Sequence, residues 1–183
     1  MGTIGGNICT ASPAGDSLPA LYVLQAEVEL CTEKTTRYLP IHDFIIGPGE
    51  TRLRRGEILR GIRVEKPSGF NAHHFEKIGQ RKAMACATAS MACMLRLSPS
   101  GVAERARLAW GSVGPTIVMS SAVENLLIGK KLTQKNLEIA AKAARQTVSP
   151  IDDIRASSDY RKRVAGNLLL RLKYHNRQEL RSS

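Results

Sequence analysis

Near the middle of this chain the apolar residues change period, and that change limits the possible folds more than any other feature. Residues 85–97 form a long apolar run rich in Ala, Met and Cys. Residues 105–110 alternate, with Ala106, Leu108 and Trp110 facing one way and Arg105 and Arg107 the other. Ser98-Pro99-Ser100-Gly101 supplies the turn between two such strands. From Ser121 onward the apolar spacing lengthens to the repeat of about 3.6 residues expected of helices. A short helix spans residues 121–128 and is closed by Gly129. Thr133 can cap the next, whose apolar stripe is Leu137, Ala140, Ala141, Ala144 and Val148, and Pro150 stops it. Ser157 or Ser158 caps the last, in which Tyr160, Val164, Leu168 and Leu172 recur every four residues and basic residues fill the other faces. Strands in one block and helices in another predict an α+β fold rather than a parallel α/β sheet.

The chain divides at Pro67-Ser68-Gly69 into regions 1–67 and 68–183. The first is rich in turn signals: Gly5-Gly6, Ser12-Pro13, Gly15-Asp16 and Gly47-Pro48-Gly49. Between them the pattern predicts a brief helix over 19–24 and a strand over 26–31, with Val28 and Leu30 opposite Glu27 and Glu29. A second strand is expected over 58–64, with Ile58, Ile62 and Val64 on one face. The second region opens with a strand over 74–78.

The formal charge of +11 and pI of about 9.9 admit a nucleic acid, a membrane surface or an acidic protein partner. One Trp, four Tyr and three Phe offer no stacking platform, and the basic residues are scattered apart from short clusters such as 52–55 and 161–163. A basic face for a partner subunit is therefore preferred over nucleic acid. No apolar run approaches a bilayer span, and the first ten residues carry no secretory pattern, so a cytoplasmic protein is expected. Cys9, Cys31, Cys86 and Cys93 form no Cys-x-x-Cys pair and read as free thiols, the last two as small buried hydrophobes. His73 and His74 are strand neighbours pointing oppositely, and no metal site is expected. His42-Asp43 reads as a loop pair.

The densest chemical signal is Thr3-Ile4-Gly5-Gly6-Asn7. Adjacent glycines let backbone N–H groups approach a bulky anion, while Thr3 and Asn7 add hydroxyl and amide groups. A glycine pair alone marks a turn more often than a ligand loop, and this is neither a Walker loop nor a GxGxxG fingerprint. The following Ala11-Ser12-Pro13-x-x-Asp16-x-x-Pro19-Ala20 adds a hydroxyl, a carboxylate and rigid punctuation.

Together these runs resemble the FAD-binding subunits of the molybdenum hydroxylases, the xanthine dehydrogenase and carbon monoxide dehydrogenase family. Their flavin motif reads Thr-Ile-Gly-Gly-Asn, then Ala-Ser-Pro-x-x-Asp-x-x-Pro-Ala-Leu, matched here by residues 3–7 and 11–21. The likeness continues collinearly. It takes in Phe44-x-x-Gly47-Pro48-Gly49, Thr51-x-Leu53, Glu57-Ile58-Leu59 and Phe75-x-Lys77-x-Gly79-x-Arg81. Further on it takes in Arg107-Leu108-Ala109-x-Gly111-x-Val113-x-Pro115-Thr116 and the run from Asp152 to Arg161.

The resemblance implies a partial FAD-binding antiparallel sheet subdomain over 1–67, then a β-sheet plus three-helix C-terminal domain over 68–183. It implies that Thr3, Ile4, Gly5, Gly6, Asn7 and Asp16 line an FAD site, and that Leu59 and Lys77 approach the flavin ring or adenine. From the residues alone, Lys77 is equally an exposed strand lysine and Leu59 a core residue, while an Asx turn is the less favoured reading of Asp16. The implied role is an electron relay. A molybdenum-binding subunit with molybdopterin hydroxylates substrate, 2Fe-2S clusters on an iron–sulfur subunit carry the electrons, and FAD passes them to NAD or another acceptor. No side chain here need act as an acid or base. The resemblance also implies a preceding subdomain with an Ala-Gly-Gly-Thr-like loop, whereas this sequence opens at Met1-Gly2. That opening reads as an internal methionine taken for a start, a truncated gene, or a split subunit with a separate N-terminal FAD-subdomain chain. The rival readings are a remnant or assembly module that binds no flavin and, less favoured, a basic nucleic-acid binder.

Overall fold

A computed structural model describes residues 2–81 and 85–174; Met1 and the end of the 68–183 region lie outside them. The chain runs α1 (Ile4–Thr10), α2 (Leu18–Val23), β1 (Glu27–Cys31), β2 (Thr36–Pro40), α3 (Ile41–Phe44), β3 (Ile45–Gly47), β4 (Glu50–Thr51) and β5 (Ile58–Arg63). The second region adds β6 (Ala72–Gly79), β7 (Ala87–Leu97), β8 (Ala103–Gly111), β9 (Val118–Met119), α4 (Ser121–Leu127), α5 (Gln134–Thr147) and α6 (Ser158–Leu170). Antiparallel sheets form in the orders β2-β1-β5, β3-β4 and β6-β7-β8-β9. Strands and helices do segregate in the second region, as an α+β fold requires.

β7 explains its own unbroken apolar run, because it is covered on both faces. Met91, Cys93, Leu95 and Leu97 join Leu108 and Trp110 in a core beneath α4, α5 and α6. Ala92 and Met94, with Ala109 of β8, join a second core with Tyr22 and Val23 of α2, Val28 and Leu30 of β1, and Phe44. Trp110 is fully buried and donates its indole N–H to the Ala165 carbonyl at 3.2 Å. Gly111 sets the spacing on the opposite face. A Cβ there would lie 2.5 Å from Ser90 Oγ and 3.0 Å from Pro19 Cγ, so α2 and its preceding loop can lie close against β8.

The capping residues act as the sequence predicts. Thr133 accepts from the Asn136 N–H, and Ser157, not Ser158, accepts from the Tyr160 N–H. Five expectations need correction. Gly5-Gly6 is not a turn: both residues lie inside α1, which Thr3 starts by accepting the Gly6 N–H at 3.0 Å. β5 does not present Ile58, Ile62 and Val64 on one face. A bulge opposite Glu29/Leu30 pairs Leu30 with Leu59 but Val28 with Ile62, and the parity changes. Leu59 and Ile62 therefore pack on the core, while Ile58 and Val64 are exposed. The inward stripe of α6 is Arg161, Ala165, Leu168 and Leu169 rather than one through Tyr160, which is exposed. Arg161 is buried because the Thr88 and Ser112 carbonyls and the Asp153 carboxylate hold its guanidinium at 2.7–2.9 Å. Cys86, just before β7 begins, is exposed, whereas Cys93 is buried and burial pushes its thiol far up. His42-Asp43 belongs to the single turn α3 instead of a loop.

Candidate functional site

The helix α1 stands at one edge of the first region with its opening turn in solvent. Thr3, Ile4 and Gly6 are exposed, Gly5 and Asn7 are half-buried, and Ile8 is the side chain that enters the core. The first-turn N–H groups of any helix lack intrahelical partners, and here Thr3 supplies one acceptor by capping Gly6. Gly5 faces β5: a Cβ on it would meet Leu59 Cδ2 at 3.6 Å, an ordinary contact. The bulge that turns Leu59 inward therefore also seats it against α1. Leu59 packs on the core and also lies beside the glycine pair.

Asn7 links α1 to the next loop. Its Oδ1 accepts the Ser17 hydroxyl at 2.6 Å. Sequence reasoning passed over Ser17, because a Ser just ahead of Leu18-Pro19 reads as an ordinary helix cap. In fact it makes no capping bond and gives its hydroxyl to Asn7. Beside it, Asp16 directs its carboxylate across to β6, where Lys77 Nζ lies 2.5 Å from Oδ2. Asp16 is thus the partner of a cation 61 positions away. That pair joins the loop of the first region to the sheet of the second.

The backbone behind this loop is fixed as well. The Ser112 N–H donates to the Pro13 carbonyl at 2.8 Å, and the Gly49 N–H donates to the Ala11 carbonyl at 3.2 Å. Thr3, Gly5 and Leu59 therefore form one group, and Asn7, Ser17, Asp16 and Lys77 a second, with α1 belonging to both. Exposed Ile4 and Ile58, 59% and 64% accessible, add apolar surface along α1 and β5. Such a wall offers amides and hydroxyls to a polar ligand, an ammonium to a negative one and aliphatic surface to a flat ring. Among the described residues, no group of three or more His, Cys, Asp or Glu is placed to hold a metal ion. No helix among them is long and apolar enough to cross a membrane.

Residues 1–67 match the FAD binding domain in molybdopterin dehydrogenase, and residues 74–175 match the CO dehydrogenase flavoprotein C-terminal domain. The nicotinate dehydrogenase FAD-subunit of Eubacterium barkeri is 30% identical over 165 residues, 88% of this chain and 56% of that protein. The xanthine dehydrogenase FAD-binding subunit of Escherichia coli O157:H7 is 30% identical over 163 residues, 88% of this chain and 55% of that protein. A chain of carbon monoxide dehydrogenase from Hydrogenophaga pseudoflava superposes with a TM-score of 0.84 at 32% identity, covering 93% of this chain and 58% of that one. The chain thus spans little more than half the length of the relatives it matches.

Proposed function

Because the chain belongs to the flavin-binding subunits of the molybdenum hydroxylases, we propose that it forms one wall of an FAD site in an oxidoreductase complex of that family. The observation that carries this reading is the convergence of α1, Leu59, Asp16 and Lys77, four separate stretches of sequence, on one edge of the molecule. The residues fit the cofactor. Thr3, Gly5, Gly6 and Asn7 offer amide and hydroxyl groups to its polar parts. Ile4 and Leu59 give an aliphatic surface to a ring. Lys77 offers positive charge, which suits a ring that becomes anionic on reduction.

FAD, when bound, accepts electrons and hands them on. The work of this chain is to place that group and set its surroundings. Asp16 holds the Lys77 ammonium in position, so the charge stays at the rim instead of sampling solvent. Ser17 fixes the Asn7 carbonyl oxygen by donating to it, which leaves the Asn7 amide N–H groups available to a ligand. No proton transfer by a side chain is required.

The same proposal covers the complex. Electrons arrive from 2Fe-2S clusters on an iron–sulfur subunit, after substrate hydroxylation on a molybdenum-binding subunit, and leave to NAD or another acceptor. It places the protein in the cytoplasm, divides the chain near residue 67, and takes the remaining FAD contacts from a further subdomain, on this gene product or on another chain. The test is titration of the purified chain with FAD, followed by flavin fluorescence and visible absorbance. Saturable binding weakened by Lys77→Met and Asp16→Asn is the expected result. A folded chain that takes up no flavin, alone or with its partner subunits, would identify an assembly module instead.

A further inference from the structure

Past the end of α2, Leu24 and Gln25 form one side of a polar cleft of about 310 Å³, bounded further by Arg63 of β5, the residue 65–68 linker, and Arg105 and Arg107 of β8. An apolar trough of about 280 Å³ adjoins it along β6 and shares Leu24, Pro67 and Phe70 with it. The trough exists because α2 lies over β7 and β8 and leaves the β6 margin of this sheet face uncovered. Its walls are Val23, Leu24, Phe70, Phe75, Ala92 and Met94, and Phe75 is 47% exposed. One surface thus has a polar half and an apolar half, with Phe70 at the join.

The polar half carries more positive charge than its own carboxylates offset. Arg105 and Arg107 leave β8 on the same face, and their guanidinium carbons lie 4.7 and 4.9 Å from the centre of the Phe70 ring. Among the described residues neither is ion-paired; Arg107 donates instead to the Val23 carbonyl at 3.1 Å. Burial, and then the Arg105 charge, hold the Arg107 guanidinium below its ordinary value, and Glu124 of α4 offsets only part of that. Arg63 and Lys66 add two cations, against the carboxylates of Glu65 and of Glu27, which is 4.0 Å from Arg63. The adjacent Arg96 and Glu104 neutralise each other at 2.7 Å. Even with Glu124 included, three carboxylates face four cations. Arg63, Lys66 and Arg105 are exposed and Arg107 is half-buried, so a ligand can touch them.

We propose that this surface docks an extended acidic segment of a partner protein, its carboxylates on Lys66, Arg105 and Arg107 and a neighbouring apolar side chain in the Phe70–Phe75 trough. The cations stand on two walls, the linker and β8, so they suit a run of carboxylates better than a single head group. A second copy of this chain would bring like charge to the cleft, and a flat bilayer cannot follow a recess between walls. The proposal rests on the family reading for the existence of partner chains and adds where one of them docks. The surface lies at the opposite end of α2 from Asp16 and involves no flavin.

The test is fluorescence anisotropy of a labelled peptide, Leu-Phe-Gly-Asp-Glu-Asp, titrated with the full chain; its amide analogue, Leu-Phe-Gly-Asn-Gln-Asn, is the control. The expected result is saturable binding of the acidic peptide, weakening as salt is added, and none of the amide. Lys66→Gln with Arg105→Gln should weaken binding about tenfold, and Phe75→Ser several-fold. Lys135→Gln with Lys142→Gln removes the same charge from α5, across the sheet, and should leave binding unchanged. All five positions are exposed, so the variants keep the fold. Because the assay contains no flavin, it can fail while FAD still binds, and the reverse. Binding that never saturates, that the amide reproduces, or that the α5 pair weakens equally would overturn the proposal. Displacement of the peptide by lower concentrations of oligothymidylate or of phosphatidylglycerol vesicles would overturn it too, assigning the surface to nucleic acid or lipid.

Discussion

The two faces of the β6-β7-β8-β9 sheet are covered in different ways. Toward α4, α5 and α6, the strands present bulky groups: Met91, Leu95, Leu108 and Trp110. Toward α2 and the first region they present Ala92, Ala109 and Ser90 beside a single bulky Met94, with Gly111 at the tightest point. The first face is a thick apolar layer that gains stability from the area it removes from water. The second is a closer contact, made against Tyr22 and Val23 of α2 and the apolar side chains of the first region behind them. The two faces thus differ in how closely their cover approaches the sheet, while both are apolar.

That contrast predicts a ranked set of effects. Trp110→Ala, on the thick face, should cost about 3–5 kcal/mol by cavity formation, read by chemical denaturation. A loss under about 1 kcal/mol would refute the contrast. Gly111→Ala, on the thin face, should cost about 1–3 kcal/mol, because the new Cβ forces Pro19 and Ser90 apart. It should also disturb Asp16 through the displaced loop, visible as weaker FAD uptake than stability alone explains. Lys77→Met should change stability by less than about 1 kcal/mol, as expected for a largely solvated ion pair, while lowering FAD affinity. Equal losses of stability and affinity would show the pair to be mainly structural.

The smallest effect concerns acid. In the first region Arg37 makes paired bonds to Glu57 at 2.7 and 2.8 Å, and the Arg54 N–H donates to the same carboxylate, holding Glu57 down at about 2. A depressed carboxylate contributes stability above its unfolded value of 4.5 and loses it as pH falls toward 2. The residue 52–57 loop should therefore loosen over that window in amide exchange. Glu57→Gln should remove the pH dependence.

Much of this arrangement could be read from residue types, and the unread parts share a cause. Caps and breakers act within one turn, so Thr133, Ser157 and Gly129 announced themselves. The apolar run of residues 85–97 announced a strand, while the cover on both of its faces came from the fold. Long-range compensation stayed hidden. Arg161 reads as a solvated helix residue until carbonyls from residues 73 and 49 positions away are brought to it. The glycine pair reads as a turn because glycine disfavours helices, and the Thr3 cap, the packing of Ile8 and the Asn7–Ser17 bond offset that cost. Of the candidate site, the members were legible from the family likeness, but the Asp16–Lys77 pairing and the part played by Ser17 required the fold.

The slipped register of β5 carries a consequence for how this edge could change. Were β5 instead to pair in even step with Arg60 retained, Arg60 would fall opposite Leu30 and Leu59 opposite Cys31. The side chains on one side of the slip would then trade places, Leu59 rotating toward water and Ile58 toward β1. Strand count and sheet order would survive, yet the surface beside Gly5 would be lost. A change of register alone, with no residue altered, would therefore strip this edge of the side chain that faces Gly5.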